Sequence, residues 1–505
     1  MILENGLIRT MDRQVPIQRA LAVAGDRIAG GVGVHETALA SPDTVDLGGR
    51  TVLPGFTDSH VHFPTWALAQ VQVSLDGCAS LDEALARIAR AEGGADMVIR
   101  GYGWRSGDWA DGEEPTSARL DTVTGRRPAA MIAKDYHSLW LNSAALALAG
   151  GDLEVEGGVV ERDRKGEPTG VLREEAAWQF RERYLAVPDE AYLEAMRAGV
   201  KLAASRGVTS VHDKDGWLGA LRLWQSLEHA GSLTLRVWQS VPAARVGELR
   251  ELGIRSGLGS PMLRLGYLKA FMDGTLGSGT ALMLDGSGVT ITSGEELAEM
   301  VKAGAEAGFP VAVHAIGDGA NRAALDAFER TRETWQPLGL RHRIEHSQLL
   351  SQDDLPRFAE LGIACSVQFS HATSDRDLAD RLWGGKTAGA YAYRSLVDSG
   401  AVVANGSDAP IEELDPLAGI RAGVRRTVDE REAWHPEQAV TVDQAFEATT
   451  TAPAWLAGDE RWRGKLLPGY AADLVVLDRD PWDDLDARVV ATMVAGRWVH
   501  NPPPW

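Results

Sequence analysis

From about residue 205 onward, short β-branched runs alternate with longer stretches in which apolar residues recur at helical spacing. The runs are GVTSVHD (207–213), LRVWQS (235–240), GYLKAFMD (266–273), FPVAVHAIGD (309–318), HRIEHSQ (342–348), IACSVQF (363–369) and VVANGSD (402–408). Between them, SGEELAEMVKAGAEAG, NRAALDAFERTRE and QDDLPRFAELG carry acidic residues near their starts, where the helix dipole favours them. Such alternation of strands and helices predicts a parallel sheet. With VLPGFTDSHVH (52–62) as an eighth strand, the count predicts a closed (β/α)8 TIM barrel.

The flanks follow another rhythm. LIRTM, ALAVAGDRIAGGVG and TVDLGGRTVLPGF read as short strands separated by glycine turns, and residues 464–500 (GKLLPGYAADLVVLDRDPW, then ARVVATMVAGRWVH) return to short strands. The pattern therefore predicts an α/β chain in three parts. A small β domain joins both termini (1–50 with 460–505), and the barrel takes 51–71 with 204–459. An α/β insertion, 72–203, follows the first barrel strand, with strands MVIRGYGW and PAAMIAKDYH and helices LDEALARIAR and EAYLEAMRAGVKLAAS. Setting flanks and insertion aside leaves about 275 residues, near the usual barrel size of about 250. Strand-to-helix loops leave a barrel at its catalytic face, so the insertion is expected to cover the active site.

Charge narrows the partners. Lys and Arg number 51 against 71 Asp and Glu, a net charge of −20, which disfavours nucleic acid and anionic membranes. With 44% hydrophobic residues the chain is globular, and no apolar run approaches the roughly 20 residues of a spanning helix. The start, MILENGLIRT, lacks the basic head and apolar middle of a secretory signal. The two cysteines, Cys78 and Cys365, are too few for a disulfide framework. A cytoplasmic protein acting on a small molecule is expected; patterning leaves a homo-oligomer open.

A barrel carries its chemistry at the carboxyl ends of its strands, where this sequence places His60, His62, Lys269, His314, His346 and Asp408. His60 and His62, two apart on one strand, point to the same side and can share one metal ion. Alone, such a pair is equally an ordinary core or surface pair; six such residues at strand ends are not accidental. Nitrogen and oxygen donors suit zinc or another divalent ion. Only eight of the basic residues are lysines, so Lys269 inside an apolar strand is unusual, though a snorkelling or ion-paired lysine is the plain alternative.

These motifs, GFTDSHVHF, LKAFMDGTLGSGTA, VAVHAIGDGAN, RIEHSQ, QFSHATSD and NGSDAP, resemble the series of the metal-dependent amidohydrolase superfamily, particularly amidohydrolase family 3 with its N-substituted formamide deformylase type. The likeness includes GYGWRSGDW, RPAAMIAKDYHSLWLNSAAL and GEPTGVLREEA in the insertion and PGYAADLVVLD near the end. It implies a barrel with a β-sandwich built from both termini. It also implies metal ligands His60, His62, Lys269, His314, His346 and Asp408, one or two divalent ions with zinc foremost, and a carbamate on Lys269. The implied reaction is hydrolysis of a non-peptide carbon–nitrogen bond, amide or formamide, by a metal-activated hydroxide with Asp408 as general base. The alternatives are a mononuclear deaminase of the same superfamily and a non-catalytic barrel scaffold; in the scaffold, ligands should be missing, and none is.

His137 and His371 are candidate hydrogen-bond donors to the substrate or its developing oxyanion. Trp104 and Trp109, with Trp140 nearby, are expected to form an apolar substrate wall, plain core being the alternative. Asp318 and Asp375 either orient ligands or begin helices. His212 is expected to be structural or to support the ligands, and Glu174 carries no assigned role. Neither cysteine lies in a motif that would make it a bridging thiolate.

Overall fold

The computed structural model describes residues 1–30, 43–91, 98–110 and 112–505. The ends of two expected strands, residues 31–33 and Met97, lie outside them. The chain divides into two compact units, Met1–Phe63 with Arg197–Trp505, and Pro64–Met196.

The first unit contains the barrel. Its strands are β1 (Phe56–Val61), β2 (Val208–Asp213), β3 (Arg236–Pro242), β4 (Leu263–Phe271), β5 (Val311–Ala315), β6 (Arg343–His346), β7 (Ala364–Val367) and β8 (Val403–Asn405), hydrogen-bonded in that order. Neighbours are parallel throughout. β1, β2, β5, β6, β7 and β8 are buried along their whole length, polar residues included, as strands of a parallel sheet covered on both faces are. Closure comes just beyond β1 and β8. Val61 bridges Ala409, the Asp408 amide donates to the His60 carbonyl (2.7 Å), and the His62 amide donates to that of Ala409 (2.9 Å). The expected helices form, Gly294–Ala307 starting on a capping box between Ser293 and Glu296.

The run 52–62 is two strands rather than one. Thr51–Pro54 joins a six-stranded sheet with Leu7–Arg9, Ile17–Gln18, Leu474–Leu477, Val489–Val494 and Arg497–His500, while Phe56–Val61 enters the barrel. The break falls at Gly55, where a Cβ would lie 2.1 Å from the Thr209 side chain. Only glycine permits that approach. Ile2–Glu4, Leu21–Ala24, Arg27–Gly30 and Thr44–Asp46 make a second sheet. One core, including Leu3, Leu21, Val52, Leu474 and Met493, joins residues of both sheets and both termini into a β-sandwich.

The second unit is a mixed six-stranded sheet, in order Gly158–Arg162, Pro168–Glu174, Ser138–Leu141, Ala129–Ala133, Ile99–Trp104 and Val73–Ser74, with helices that include Leu81–Ile88, Ser117–Thr124 and Glu175–Tyr184. Among the described residues no helix is long and apolar enough to cross a membrane.

Candidate metal centre

His60 and His62 sit at the end of β1, and Asp408 follows β8, so the seam that closes the barrel also assembles the site. His60 Nε2 lies 3.2 Å and His62 Nε2 3.5 Å from Asp408 Oδ1. The opposite nitrogens are anchored: His60 Nδ1 is 2.8 Å from Glu345 Oε2, and His62 Nδ1 is 2.7 Å from Asp215 Oδ1. A carboxylate on Nδ1 fixes the ring and leaves the Nε2 lone pair directed at a ligand site. Asp58, buried beneath, accepts from the His60 and Ser407 amides (3.1 and 3.0 Å) and so fastens β1 to the chain after β8. Burial pushes its carboxyl up to about 7.

His346 ends β6. Its Nδ1 meets Gln368 Oε1 at 2.8 Å; an amide oxygen only accepts, so Nδ1 carries the hydrogen and Nε2 the lone pair. Burial and the neighbouring His314 hold the His346 ring well below the usual imidazole range, hence neutral. His314, on β5, directs Nε2 to the Gly274 carbonyl at 3.0 Å, which leaves its lone pair on Nδ1. Its ring is 4.5 Å from that of His346, and His346 lies 4.7 Å from His60.

His371 has the opposite sense. The Gln348 Nε2 group donates to its Nδ1 (3.1 Å), so Nε2 bears the hydrogen. That Nε2 is buried, finds no hydrogen-bond partner among the described residues and stands 4.0 Å from Asp408 Oδ2. Position alone would also allow His346, His371 and Asp408 to share an ion, just as His60, His62 and Asp408 could. The hydrogen-bond sense favours His371 as a donor.

Lys269, on β4, is 1% exposed, and its Nζ has no hydrogen-bond partner among the described residues. Burial lowers its ammonium to about 8, although Glu345 and Asp408 favour the charged form. The Nζ faces the Phe271 ring at 4.5 Å. Asp408 is buried, which alone would raise its carboxyl, yet the surrounding imidazoles hold it far below the ordinary range. A buried orphan amine, an ionised carboxylate and four lone pairs fit a divalent ion.

Several supporting residues escaped the sequence reading. Glu345 also pairs with Lys214 (3.0 Å) and Arg343 (2.9 Å), all fully buried. Arg343 and Glu345 alternate on a buried strand, a signal that both point into the barrel. His212 accepts from Arg343 (3.2 Å). Asp318 opens a helix and accepts from the Leu284 amide, and Asp375 accepts from the Tyr391 hydroxyl. Both cysteines are buried, free and outside the candidate ligand groups.

In the second unit, Trp104 and Trp109 are 2% and 5% exposed and pack with Trp140 into that unit's own core, beside Leu81, Leu120 and Met131. Trp104 Nε1 donates to the Met131 carbonyl. The plain-core alternative describes them, in place of the expected substrate wall: Gly101 and Gly103 lie within the strand Ile99–Trp104. His137 meets Glu174 at 2.7 Å through Nδ1, which gives Glu174 a partner.

Residues 43–500 match the model of the amidohydrolase family. The chain is 32% identical to Protein LONG AFTER FAR-RED 3 of Arabidopsis thaliana, over 99% of this chain and 91% of that protein. It is 28% identical to N-substituted formamide deformylase of Arthrobacter pascens, over 95% of this chain and 93% of the relative. The solved structure of an uncharacterized metal-dependent hydrolase from Pyrococcus horikoshii OT3 superposes with a TM-score of 0.79 at 28% identity, covering 95% of this chain and 98% of that one. With a ligand set suited to a divalent ion at the closing seam of its barrel, this chain belongs to the amidohydrolase family.

Proposed function

We propose that this hydrolase cleaves a non-peptide carbon–nitrogen bond in a small amide, an N-substituted formamide or a related N-acyl amine, with one or two divalent ions, zinc foremost. The observation that carries the reading is the hydrogen-bond sense of five histidines: His60, His62, His314 and His346 each give one N–H to a protein oxygen and keep a lone pair, while His371 keeps an N–H. That pattern supports four ligands and one donor. When bound, the ion supplies electrophilic polarisation of the substrate carbonyl and lowers the pKa of water at the site. Asp408, held ionised, takes the proton of the attacking water at its carboxylate and delivers it to the departing nitrogen. His371 Nε2–H steadies the oxygen on which charge develops. Lys269 joins the ligands as a carbamate: carbon dioxide adds to the unprotonated Nζ, an N–C bond forms and a proton leaves. The 28% identity to a formamide deformylase supports the substrate class.

The test is a screen of zinc-loaded protein against N-substituted formamides, N-acyl amines, hydantoins and lactams, beside cyclic amidines. Turnover of an amide, lost on chelation and restored by zinc, is expected. Ammonia release from amidines with no amide turnover would replace this reading with the deaminase.

A further inference from the structure

The loop after β2, residues 214–219, sends three side chains three ways. Lys214 turns inward to Glu345, Asp215 holds His62, and Trp217 stands 57% exposed. The loop has little freedom between them. A Cβ at Gly216 would meet the Ser240 carbonyl and Pro242 Cδ at 2.8 Å, so the chain is pressed against the end of β3. Trp217 is therefore delivered to a fixed place, at the end of the barrel where the strands finish.

A row of rings leads inward from it. Trp217 lies 5.3 Å from Phe271, at the end of β4. Phe271 lies 5.3 Å from His314 and 4.5 Å from Lys269 Nζ, and His314 is the neighbour of His346. One end of the row is thus in solvent and the other among the candidate ligands. The loop that follows Phe271 also exposes Leu284, Val289 and Ile291, each near half exposure, beside polar Asp285, Ser287 and Thr290. An exposed tryptophan seated on a half-buried phenylalanine, on a braced loop beside polar chemistry, is the make-up of a ligand wall, since such sites pair apolar surface with a few converging polar groups.

We propose that Trp217 and Phe271 form the specificity wall of the reaction proposed above, taking an aliphatic or aromatic substituent of the amide substrate while the scissile bond lies among His314, His346 and Asp408. The inference rests on that reading and adds the substrate class: amides with a substituent well beyond methyl in size.

The experiment compares kcat/KM for N-hexylformamide and N-methylformamide in the wild type, Trp217→Ala, Trp217→Phe and Leu252→Ala. Leu252 is exposed but follows the helix after β3, at the opposite end of the barrel. Metal content and melting temperature are measured for every variant. The wild type is expected to prefer the hexyl compound. Trp217→Ala should lower the hexyl-to-methyl ratio about ten-fold or more, the usual effect of a lost apolar contact in a pocket; Trp217→Phe should keep most of it and Leu252→Ala all of it. A wild type without the preference, or an unchanged ratio in Trp217→Ala, overturns the wall. If neither formamide is hydrolysed, the proposed reaction fails on its own, and the wall is read calorimetrically from hexanamide against acetamide binding. A gap in affinity that Trp217→Ala closes supports the wall; equal gaps in both proteins overturn it.

Discussion

His60 and Asp408 are joined twice: the Asp408 amide donates to the His60 carbonyl at 2.7 Å, and His60 Nε2 stands 3.2 Å from Asp408 Oδ1. The backbone bond closes the barrel between its first and last strands, and the side-chain approach builds the candidate metal centre at the same place. Residues 348 positions apart in sequence are thereby held to the tolerance that ligand geometry requires.

Asp408 adopts a left-handed backbone, φ 57°. Asparagine tolerates that conformation better than most residues, so Asp408→Asn keeps the backbone bond while removing the anionic ligand and proton carrier. Turnover is expected to fall by roughly a thousand-fold or more, with bound metal reduced and the melting temperature little changed. Wild-type-like turnover would remove Asp408 from the mechanism.

The two anchoring carboxylates should behave differently. Asp215 touches His62 at the edge of the site, so Asp215→Ala is expected to weaken metal affinity about 10- to 100-fold at modest cost in stability. Glu345 lies among Lys214, Arg343 and His60 with no solvent to replace it. Glu345→Gln leaves two buried cations uncompensated, a loss of about 3–5 kcal/mol in addition to weaker metal binding. Metal titration and thermal melting of both variants, side by side, check the contrast; equal stability would refute it.

Much of this site was legible because polar residues interrupt apolar runs at their carboxyl ends. His60, His62, Lys269, His314, His346 and Asp408 each break a strand that is otherwise built for burial, and a barrel brings such ends together. Their supports were less legible. Glu345 anchors His60 from 285 positions away, and Asp215 anchors His62 from 153, pairings that only the closed barrel creates. Composition misled in the insertion, where two tryptophans among glycines suggested burial against a ligand rather than in a regular core. The glycines there serve tight packing: a Cβ on Gly101 would lie 2.6 Å from the Met131 sulfur. The split of 52–62 was hidden for a related reason, since both halves are equally buried and only the contact with Thr209 separates them.

Lys269 is expected to carry carbon dioxide when the metal is bound, because a buried ammonium beside dications is unfavourable while a carbamate is an anionic oxygen ligand. Protein reconstituted with zinc and carbon-13 bicarbonate should show one carbamate carbon resonance that is absent in Lys269→Met. A bare lysine in fully loaded protein would favour the one-metal arrangement.

The acid limb of stability should depend on His342, which lies apart from the candidate ligands. Its Nδ1 accepts from the Val311 amide at 2.9 Å, and its ring packs between Phe328 and Trp335. Burial lowers it from the ordinary 6.5 to about 3, despite the Val311 hydrogen bond. Between those two pH values the unfolded chain binds a proton that the folded chain refuses. The stability that the neutral ring contributes is therefore complete above about pH 6.5 and is lost as the pH falls toward 3, at up to about 1.4 kcal/mol per pH unit. Asp58 and Asp213 act in the opposite direction, because burial raises both to about 7 and the folded state gains on them as the pH falls through that value. The histidine contribution is isolated by difference. His342→Asn keeps an acceptor for the Val311 amide but cannot titrate, so its denaturation midpoint should lie below the wild type at pH 7 because of lost packing, and the gap should narrow steadily from pH 6 to pH 4. Urea unfolding of both proteins across that range checks the slope; a constant gap would show that His342 is protonated in the folded protein and that its burial is not linked to acid stability.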